Sequence, residues 1–163
     1  MCTLTQSCLR EMLHYDPFSG DFTWLVEPAK RGQIGTVAKY VDDKGYIKIS
    51  VKGKQYRAHR LVWLYLYGRL PANGLDHRDG NRQNNALSNL REATQGQNMK
   101  NRALNKNNKT GYKGVTNYGG KFMAQIMCDG KPYKLGTFCT AEDAYAAYCE
   151  ASKKLHGDFG RTA

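Results

Sequence analysis

Four polar side chains in the middle of the chain have the types and spacing needed for hydrolytic chemistry. Asp76 and His77 are adjacent, and two side-chain amides follow at Asn89 and Asn98. A hard divalent cation prefers oxygen ligands, which a carboxylate and an amide carbonyl both supply. A histidine outside the ligand set, with an ordinary pKa of about 6.5, can accept a proton from water at neutral pH. A metal ion and a base in one small site together suggest phosphodiester hydrolysis.

The same residues could instead form only a polar turn, because Asp79-Gly80 is a strong turn signal. The flanking sequence favours a positioned site. Residues 74–77 are typical of a strand end, and residues 87–94 are typical of a turn followed by a second strand. Thr94 and Gln97 have the spacing of a capping box, which predicts a short helix after that strand. Two strands and a helix would therefore present the acid, the histidine and the last asparagine from separate elements.

Residues 73–101 resemble the HNH endonuclease motif, a ββα-metal finger, in the His-Asn-Asn form of phage and intron-encoded homing endonucleases. The resemblance implies that His77 is the general base. It also implies that Asp76 and Asn98 ligate one divalent ion together with scissile-phosphate oxygens. Asn89, at the middle position of the motif, would orient the His77 ring through its side-chain carbonyl. Mg²⁺ is the first expectation for the ion and Mn²⁺ the second.

Composition limits the partner and the compartment. The 163-residue chain carries 25 Lys and Arg against 14 Asp and Glu, a formal net charge of +11. That excess implies an anionic partner such as DNA, RNA or an acidic membrane surface, although it can also reflect a merely soluble surface. The five cysteines form no Cys-x-x-Cys pair, which predicts reduced thiols and no zinc. Without a signal-peptide or membrane-spanning pattern, we expect a cytoplasmic protein, and the resemblance adds a phage-infected bacterial host.

The segment before the motif is typical of a β-meander that leads into a core helix. A short helix is predicted within residues 1–20, with Leu9, Met12 and Leu13 on one face. Strand patterns follow at residues 21–26, 35–40, 46–51 and 54–58. The next segment, residues 59–67, is apolar nearly all round, which predicts a helix buried under the meander.

Two sets of basic residues near the motif are candidate phosphate contacts. His59 and Arg60 open the predicted core helix, where backbone N–H groups favour an anion, although His59 could instead be a capping or core residue. Arg91 is a secondary candidate, with a surface salt bridge as its alternative. Residues 102–110 are polar and basic, which predicts a linker that follows a first domain of residues 1–101. Within this linker Arg102 and Lys106 could follow a DNA backbone, or the segment could be only a solvated connector.

From residue 111 the pattern becomes three strands and one helix. The strands are predicted at residues 112–117, 121–127 and 131–137. Thr140 caps the predicted helix, whose inner face comprises Ala144, Ala147, Tyr148, Ala151 and Leu155. A small antiparallel sheet packed on one helix is therefore expected, with the other face of the sheet open.

Residues 111–163 resemble the Apetala2/ethylene-response-factor DNA-binding domain. The resemblance lies in residues 111–115, 121–126, 135–138, 140–144 and 146–148. That family lays its sheet in the DNA major groove, with Arg and Trp side chains reading bases. Here Lys113 replaces the usual Arg and Phe122 the usual Trp, which predicts strong phosphate binding and loose base readout. The predicted DNA contacts on this sheet are Lys113, Thr116, Lys121, Phe122, Gln125 and Lys134.

These observations predict an α+β protein that is a metal-dependent DNA endonuclease of the homing type. One active site per chain favours the nicking of one strand of duplex DNA, by a monomer or a weak dimer without a small-molecule cofactor or a membrane partner. A non-catalytic DNA-binding regulator with a relict finger is the alternative, and it predicts DNA binding without nicking. A third class, an RNA-binding or RNA-cleaving protein, predicts a preference for RNA over duplex DNA.

Overall fold

A computed structural model describes residues 4–28, 33–105 and 107–162 of the chain. It confirms the predicted α+β class, with small antiparallel sheets and, in the described residues, four α-helices. The chain divides into two compact units, Met1–Ala93 and Thr94–Ala163. Among the described residues no helix is long and apolar enough to cross a membrane.

The first unit begins with a helix and a hairpin. Helix α1 spans Gln6–Met12, and the Thr5 side chain caps it by accepting a hydrogen bond from the backbone. Strands β1 (Leu13–Tyr15) and β2 (Phe22–Trp24) pair antiparallel. The predicted helical face had included Leu13, and that prediction is wrong, because the turn after Tyr15 returns the chain and Leu13 is buried in β1.

A three-stranded meander and its core helix follow. Strands β3 (Tyr40–Val41), β4 (Ile47–Val51) and β5 (Lys54–Arg57) are antiparallel in that order. Helix α2 spans Ala58–Tyr67 and ends at Gly68, whose φ of 70° places it in the left-handed conformation that glycine adopts without strain. The predicted meander leading into a helix is therefore present.

Packing of α2 against β4 forms the centre of the first unit. Leu61 and Val62 on α2 are fully buried, and the burial of β4 alternates along the strand as expected for one covered face. Burying side chains of this size contributes about 1.5–3 kcal/mol each. The same hydrophobic cluster includes Leu9, Phe22 and Leu90. The core thus joins the N-terminal helix, the hairpin and the strand that carries the central part of the motif.

A second hairpin carries the motif itself. Strands β6 (Gly74–His77) and β7 (Leu90–Ala93) pair antiparallel, and a short 3₁₀ turn, Leu87–Asn89, precedes β7. The connection between the strands rests on the N-terminal hairpin, because the Leu87 N–H donates to the carbonyl oxygen of Pro17 at 3.0 Å.

The second unit begins with the helix that follows the hairpin in sequence. Helix α3 spans Gln95–Lys100 and has the predicted capping box, in which the side chains of Thr94 and Gln97 each accept a backbone N–H of the other residue. Strands β8 (Val115–Tyr118), β9 (Lys121–Cys128) and β10 (Lys131–Phe138) form an antiparallel sheet with β9 in the middle.

Helix α4, Ala141–His156, covers one face of this sheet. Its buried face runs through Ala144, Tyr148 and Ser152 to His156. The predicted inner position of Leu155 is wrong, because steps of four residues from Tyr148 lead to Ser152 and His156 and leave Leu155 exposed. His156 Nε2 donates to the carbonyl oxygen of Met127 at 2.8 Å, which ties the end of the helix to β9.

The division between the two units falls before α3, not after residue 101. Lys113 Nζ explains the grouping of α3 with the sheet, because it donates to the carbonyl oxygens of Lys100 and Arg161 at 2.9 Å each. Lys100 also approaches Asp129 at 3.9 Å. The predicted assignment of residues 1–101 and 111–163 as functional domains stays a prediction.

Candidate active site

The β6–β7 hairpin holds the acid of the motif against an arginine. Asp76 lies directly opposite Arg91 in the strand register, and both side chains are buried. Arg91 donates from Nε at 2.9 Å and from Nη2 at 2.7 Å to the same carboxylate oxygen, Oδ2. Charge-assisted hydrogen bonds of this length are strong, so the Asp76 carboxylate is held in one orientation. The predicted surface salt bridge of Arg91 is therefore a buried one.

His77 ends β6 as a buried, neutral imidazole. Its Nε2 lies 3.1 Å from the side-chain oxygen of Asn85. Because an amide oxygen only accepts hydrogen bonds, Nε2 carries the proton and the basic lone pair is on Nδ1. Burial lowers the pKa of His77 below its usual value, against the opposing effects of the Asn85 hydrogen bond and nearby carboxylates. The ring is therefore unprotonated at neutral pH, which is the state a general base needs.

The role predicted for Asn89 requires a correction. Its side-chain carbonyl accepts the backbone N–H of Asp79 at 3.0 Å, and its amide donates to Asp79 Oδ1 and to the carbonyl oxygen of Asn84. The side chain that orients the His77 ring is Asn85. The reason is local. Asn89 lies in the 3₁₀ turn that precedes β7, and its side chain bonds to Asp79 and Asn84 in the loop between the two strands.

His59 packs against the candidate base as part of an aromatic cluster. The His59 ring is 5.2 Å from that of His77 and 5.3 Å from that of Tyr46, measured between centroids. Burial lowers the pKa of His59 to about 3, so the ring is neutral in the folded protein. A neutral buried ring cannot bind phosphate as a cation. The core-histidine alternative is the one the geometry supports.

The predicted metal ligands offer the donor chemistry of a hard cation. Asp76 supplies a carboxylate, and Asn98 on α3 supplies an amide oxygen; both atom types suit Mg²⁺ or Mn²⁺. Asp76 belongs to the first unit and Asn98 to the second, so their joint binding of one ion stays a prediction. Within the described residues no group of three or more His, Cys, Asp or Glu side chains could hold a metal ion. The resemblance implies that oxygens of the scissile phosphate would complete a site of one carboxylate and one amide.

Comparison with known proteins bears directly on this segment. Residues 56–100 match a family model described as HNH endonuclease. This segment is similar to the HNH endonuclease domain. It begins at the end of β5 and includes α2, the β6–β7 hairpin and α3. The match supports the resemblance inferred from residues 73–101.

One curated relative and one solved structure are similar over much of the chain. An uncharacterized HNH endonuclease of Acanthamoeba polyphaga mimivirus is 30% identical over 122 residues, 74% of this chain. The chain spans 63% of the length of that relative. A structure of DNA binding and cleavage by the HNH homing endonuclease I-HmuI aligns with a TM-score of 0.42 and 21% identity. That alignment covers 89% of this chain and 85% of the other.

Sequence reasoning about the segment that resembles HNH endonucleases missed Asn85 and the two arginines that contact Tyr46. Arg57 and Arg82 place their guanidinium carbons 4.3 and 4.8 Å from the Tyr46 ring centroid. The adjacent pair Asn84-Asn85 is visible in the sequence, but only the folded loop turns the second amide onto His77. No sequence signal indicates the two arginine–tyrosine contacts, since they join separate elements.

The predicted DNA contacts fall into different environments. Arg60 and Arg102 are exposed, whereas Lys106 lies outside the described residues. Lys113 is half-buried and bonded to two backbone carbonyls, so the structure gives it an internal role. Phe122 faces the helix and packs with Val115, which corrects its predicted place on the open face.

Alternation along β9 explains the Phe122 error. Successive side chains point to opposite faces of a sheet, and Ala124 and Ile126 are buried on the same face as Phe122. Lys121 and Gln125 therefore point away from the helix and are exposed. The exposed positions among the predicted contacts of this sheet are Thr116, Lys121, Gln125 and Lys134.

Proposed function

We propose that this protein is a metal-dependent DNA endonuclease in which His77 activates water for hydrolysis of one phosphodiester bond. The observation that carries the proposal is the buried His77 ring, which directly follows the buried Asp76 in sequence and whose Nε2 is bonded to the side-chain oxygen of Asn85. The viral HNH relative supports a nuclease over a regulator, but the chain spans only part of that relative.

His77 supplies the proton acceptor in the proposed reaction. Nδ1 takes a proton from the attacking water while Nε2 remains bonded to Asn85, so the ring is stabilised in one tautomer and one orientation. Desolvation keeps the ring unprotonated before reaction. Asp76 and Asn98 would hold the divalent ion, which when bound neutralises charge on the scissile phosphate and the departing oxygen. Asn89 contributes by fixing the loop that carries Asn85.

DNA is the proposed substrate because the chain is strongly basic and its second unit exposes a polar sheet face. Lys121 and Lys134 lie on that face, and Lys134 Nζ is 5.6 Å from the ring centroid of Tyr118. We propose that this Apetala2-like sheet holds the duplex mainly through phosphates, with binding that weakens steeply as salt rises. Nicking of one strand follows from one site per chain.

The decisive experiment is the conversion of supercoiled plasmid to nicked circles by purified protein with Mg²⁺, Mn²⁺ or EDTA. The wild type should nick in either metal and stop in EDTA, while His77→Ala should lose at least about 100-fold in rate. Binding of His77→Ala to a fluorescent duplex should be unchanged. Full cleavage by His77→Ala would overturn the assignment of the base. Tight DNA binding without nicking in any metal would favour the regulator.

A further inference from the structure

Two arginines share one tyrosine ring beside the candidate base. Tyr46, just before β4, has its ring centroid 6.1 Å from that of His77. Arg57 at the end of β5 and Arg82 in the β6–β7 connection both place their guanidinium carbons within 5 Å of the Tyr46 centroid, at 4.3 and 4.8 Å. Such contacts favour a cation over an aromatic face. Three separate elements thus bring two positive charges to one ring.

The second arginine is held in place by a further bond. Arg82 Nη1 donates to the carbonyl oxygen of Lys44 at 2.7 Å, which ties the exposed connection to the turn before Tyr46. Arg57 is half-buried and, within the described residues, is not part of an ion pair. Both guanidinium groups therefore lie against one ring, and that ring is next to the buried His77 ring. Preorganised donors of this kind lose little conformational entropy on binding an anion.

Neither arginine of this pair forms an ion pair in the described parts of the chain. The ion pairs there involve Lys48, Arg69, Arg91 and Lys100, and neither Arg57 nor Arg82 is among them. Two like charges on one ring repel each other, and an anion placed near both would relieve that repulsion. Guanidinium groups match phosphate oxygens through paired N–H donors.

We propose that the Arg57–Tyr46–Arg82 cluster binds the phosphates of the DNA strand that flank the scissile bond. The distances above place both guanidinium carbons within about 11 Å of the His77 ring centre. One strand of duplex DNA advances about 3.4 Å per nucleotide, so this reach covers roughly three nucleotides. The cluster would thus set which phosphodiester bond meets His77. The inference rests on the proposed nuclease site for its location, but the binding itself needs no cleavage.

The test measures DNA affinity as a function of salt in His77→Ala protein with EDTA, so that no strand is cut. A fluorescent mixed-sequence duplex is titrated, and the slope of log affinity against log salt is compared among variants. Arg57→Gln with Arg82→Gln should reduce the magnitude of that slope by about 2, since each lost phosphate contact removes about 0.9. Tyr46→Leu, which removes the ring, should reduce it similarly, whereas Tyr46→Phe should not.

Arg10 provides the matched control. Its guanidinium carbon lies 5.1 Å from the Tyr65 ring centroid, and its Nε donates to the Tyr65 carbonyl oxygen at 3.0 Å. Arg10→Gln therefore removes the same kind of stacked charge from the same unit and should leave the slope unchanged. A double variant whose slope matches that of Arg10→Gln would overturn the inference even if the wild type nicks plasmid. A reduced slope in a protein that never nicks would sustain the inference and reject the nuclease proposal.

Discussion

Arg91 binds Asp76 through two hydrogen bonds to a single carboxylate oxygen, and both side chains are only 9% exposed. The pair sits at directly opposed positions of β6 and β7. The acid that we propose as a metal ligand therefore already has a positive partner. Burying two charged groups costs desolvation free energy, which their mutual attraction offsets. Removing one member therefore leaves the other buried without that compensation.

The first prediction concerns that dependence. Arg91→Met should lower the free energy of unfolding by about 3–5 kcal/mol, because it leaves the Asp76 carboxylate buried without its cation. Arg78→Met removes the same charge from an exposed position at the start of the β6–β7 connection and should change stability by no more than about 0.5 kcal/mol. Urea denaturation followed by tryptophan fluorescence measures both. A loss below about 1 kcal/mol for Arg91→Met would contradict the structural pairing.

Metal binding should be weak without DNA. A cation at Asp76 must compete with Arg91 for the carboxylate, and the proposed partner Asn98 is a neutral ligand. Titration calorimetry with Mn²⁺ on His77→Ala protein should detect no saturable binding in the micromolar range, and added duplex should make binding measurable. Asp76→Asn should abolish the DNA-dependent binding. Micromolar Mn²⁺ affinity of the free protein would argue against competition by Arg91.

The pH–rate profile should report the burial of His77. Because burial lowers the pKa of His77, the protonated form appears only below its ordinary value of about 6.5, and cleavage should stay on its plateau to below that pH. Asn85→Asp places a carboxylate at the ring, raises the pKa of His77 and should move the acid limb to higher pH.

Asn85→Leu tests the positioning role of the amide. It should reduce kcat by up to about 100-fold through misorientation, with little change in DNA affinity. A single-turnover cleavage assay across pH, beside a duplex-binding titration, measures both effects. An unchanged acid limb in Asn85→Asp would show that Asn85 does not contact the ring in solution.

Gly20 should matter to the active site although it lies in the N-terminal hairpin. A Cβ at Gly20 would overlap the backbone of Asn85 and Ala86, and its φ of 79° is unfavourable for other residues. Gly20→Ala should therefore displace the segment that carries Asn85 and lower both stability and cleavage. Gly35→Ala is the control, because Gly35 has a φ of 85° with open space around it. Equal effects of the two variants on cleavage would reject steric displacement.

Substitutions of Lys113 and Lys134 should have different effects in the second unit. The first should change stability and the second should change DNA binding. Lys113 Nζ donates to two carbonyl oxygens, and burial lowers its pKa to about 8. Lys113→Met should lower the thermal midpoint and leave the salt slope of DNA binding unchanged. Lys134→Met, at an exposed site, should reduce the magnitude of that slope by about 0.9 without changing the midpoint. If Lys113→Met instead reduced the salt slope and left the thermal midpoint unchanged, Lys113 would be a DNA contact as first predicted.

Local signals predicted most of the elements. The capping box of Thr94 and Gln97, the stop at Gly68 and the cap at Thr140 each depend on residues within one turn of the helix end, and all three are present. The meander and the three-stranded sheet were also predictable, because alternation and turn residues act over short stretches. The predicted positions of Leu13, Phe122 and Leu155 were wrong because packing against other elements, and not the local pattern, determined which side chains are buried.

The amino-acid sequence by itself determined which reactive groups are available: an Asp-His pair with spaced asparagines on a basic chain, in a segment that matches the HNH endonuclease model. Only the tertiary structure decided which groups act on that pair. Asp76 meets Arg91 through the strand register, and His77 meets Asn85 because a loop folds back onto the ring. The register and the loop conformation depend on packing among elements distant in sequence, and no residue type or spacing specifies such packing locally.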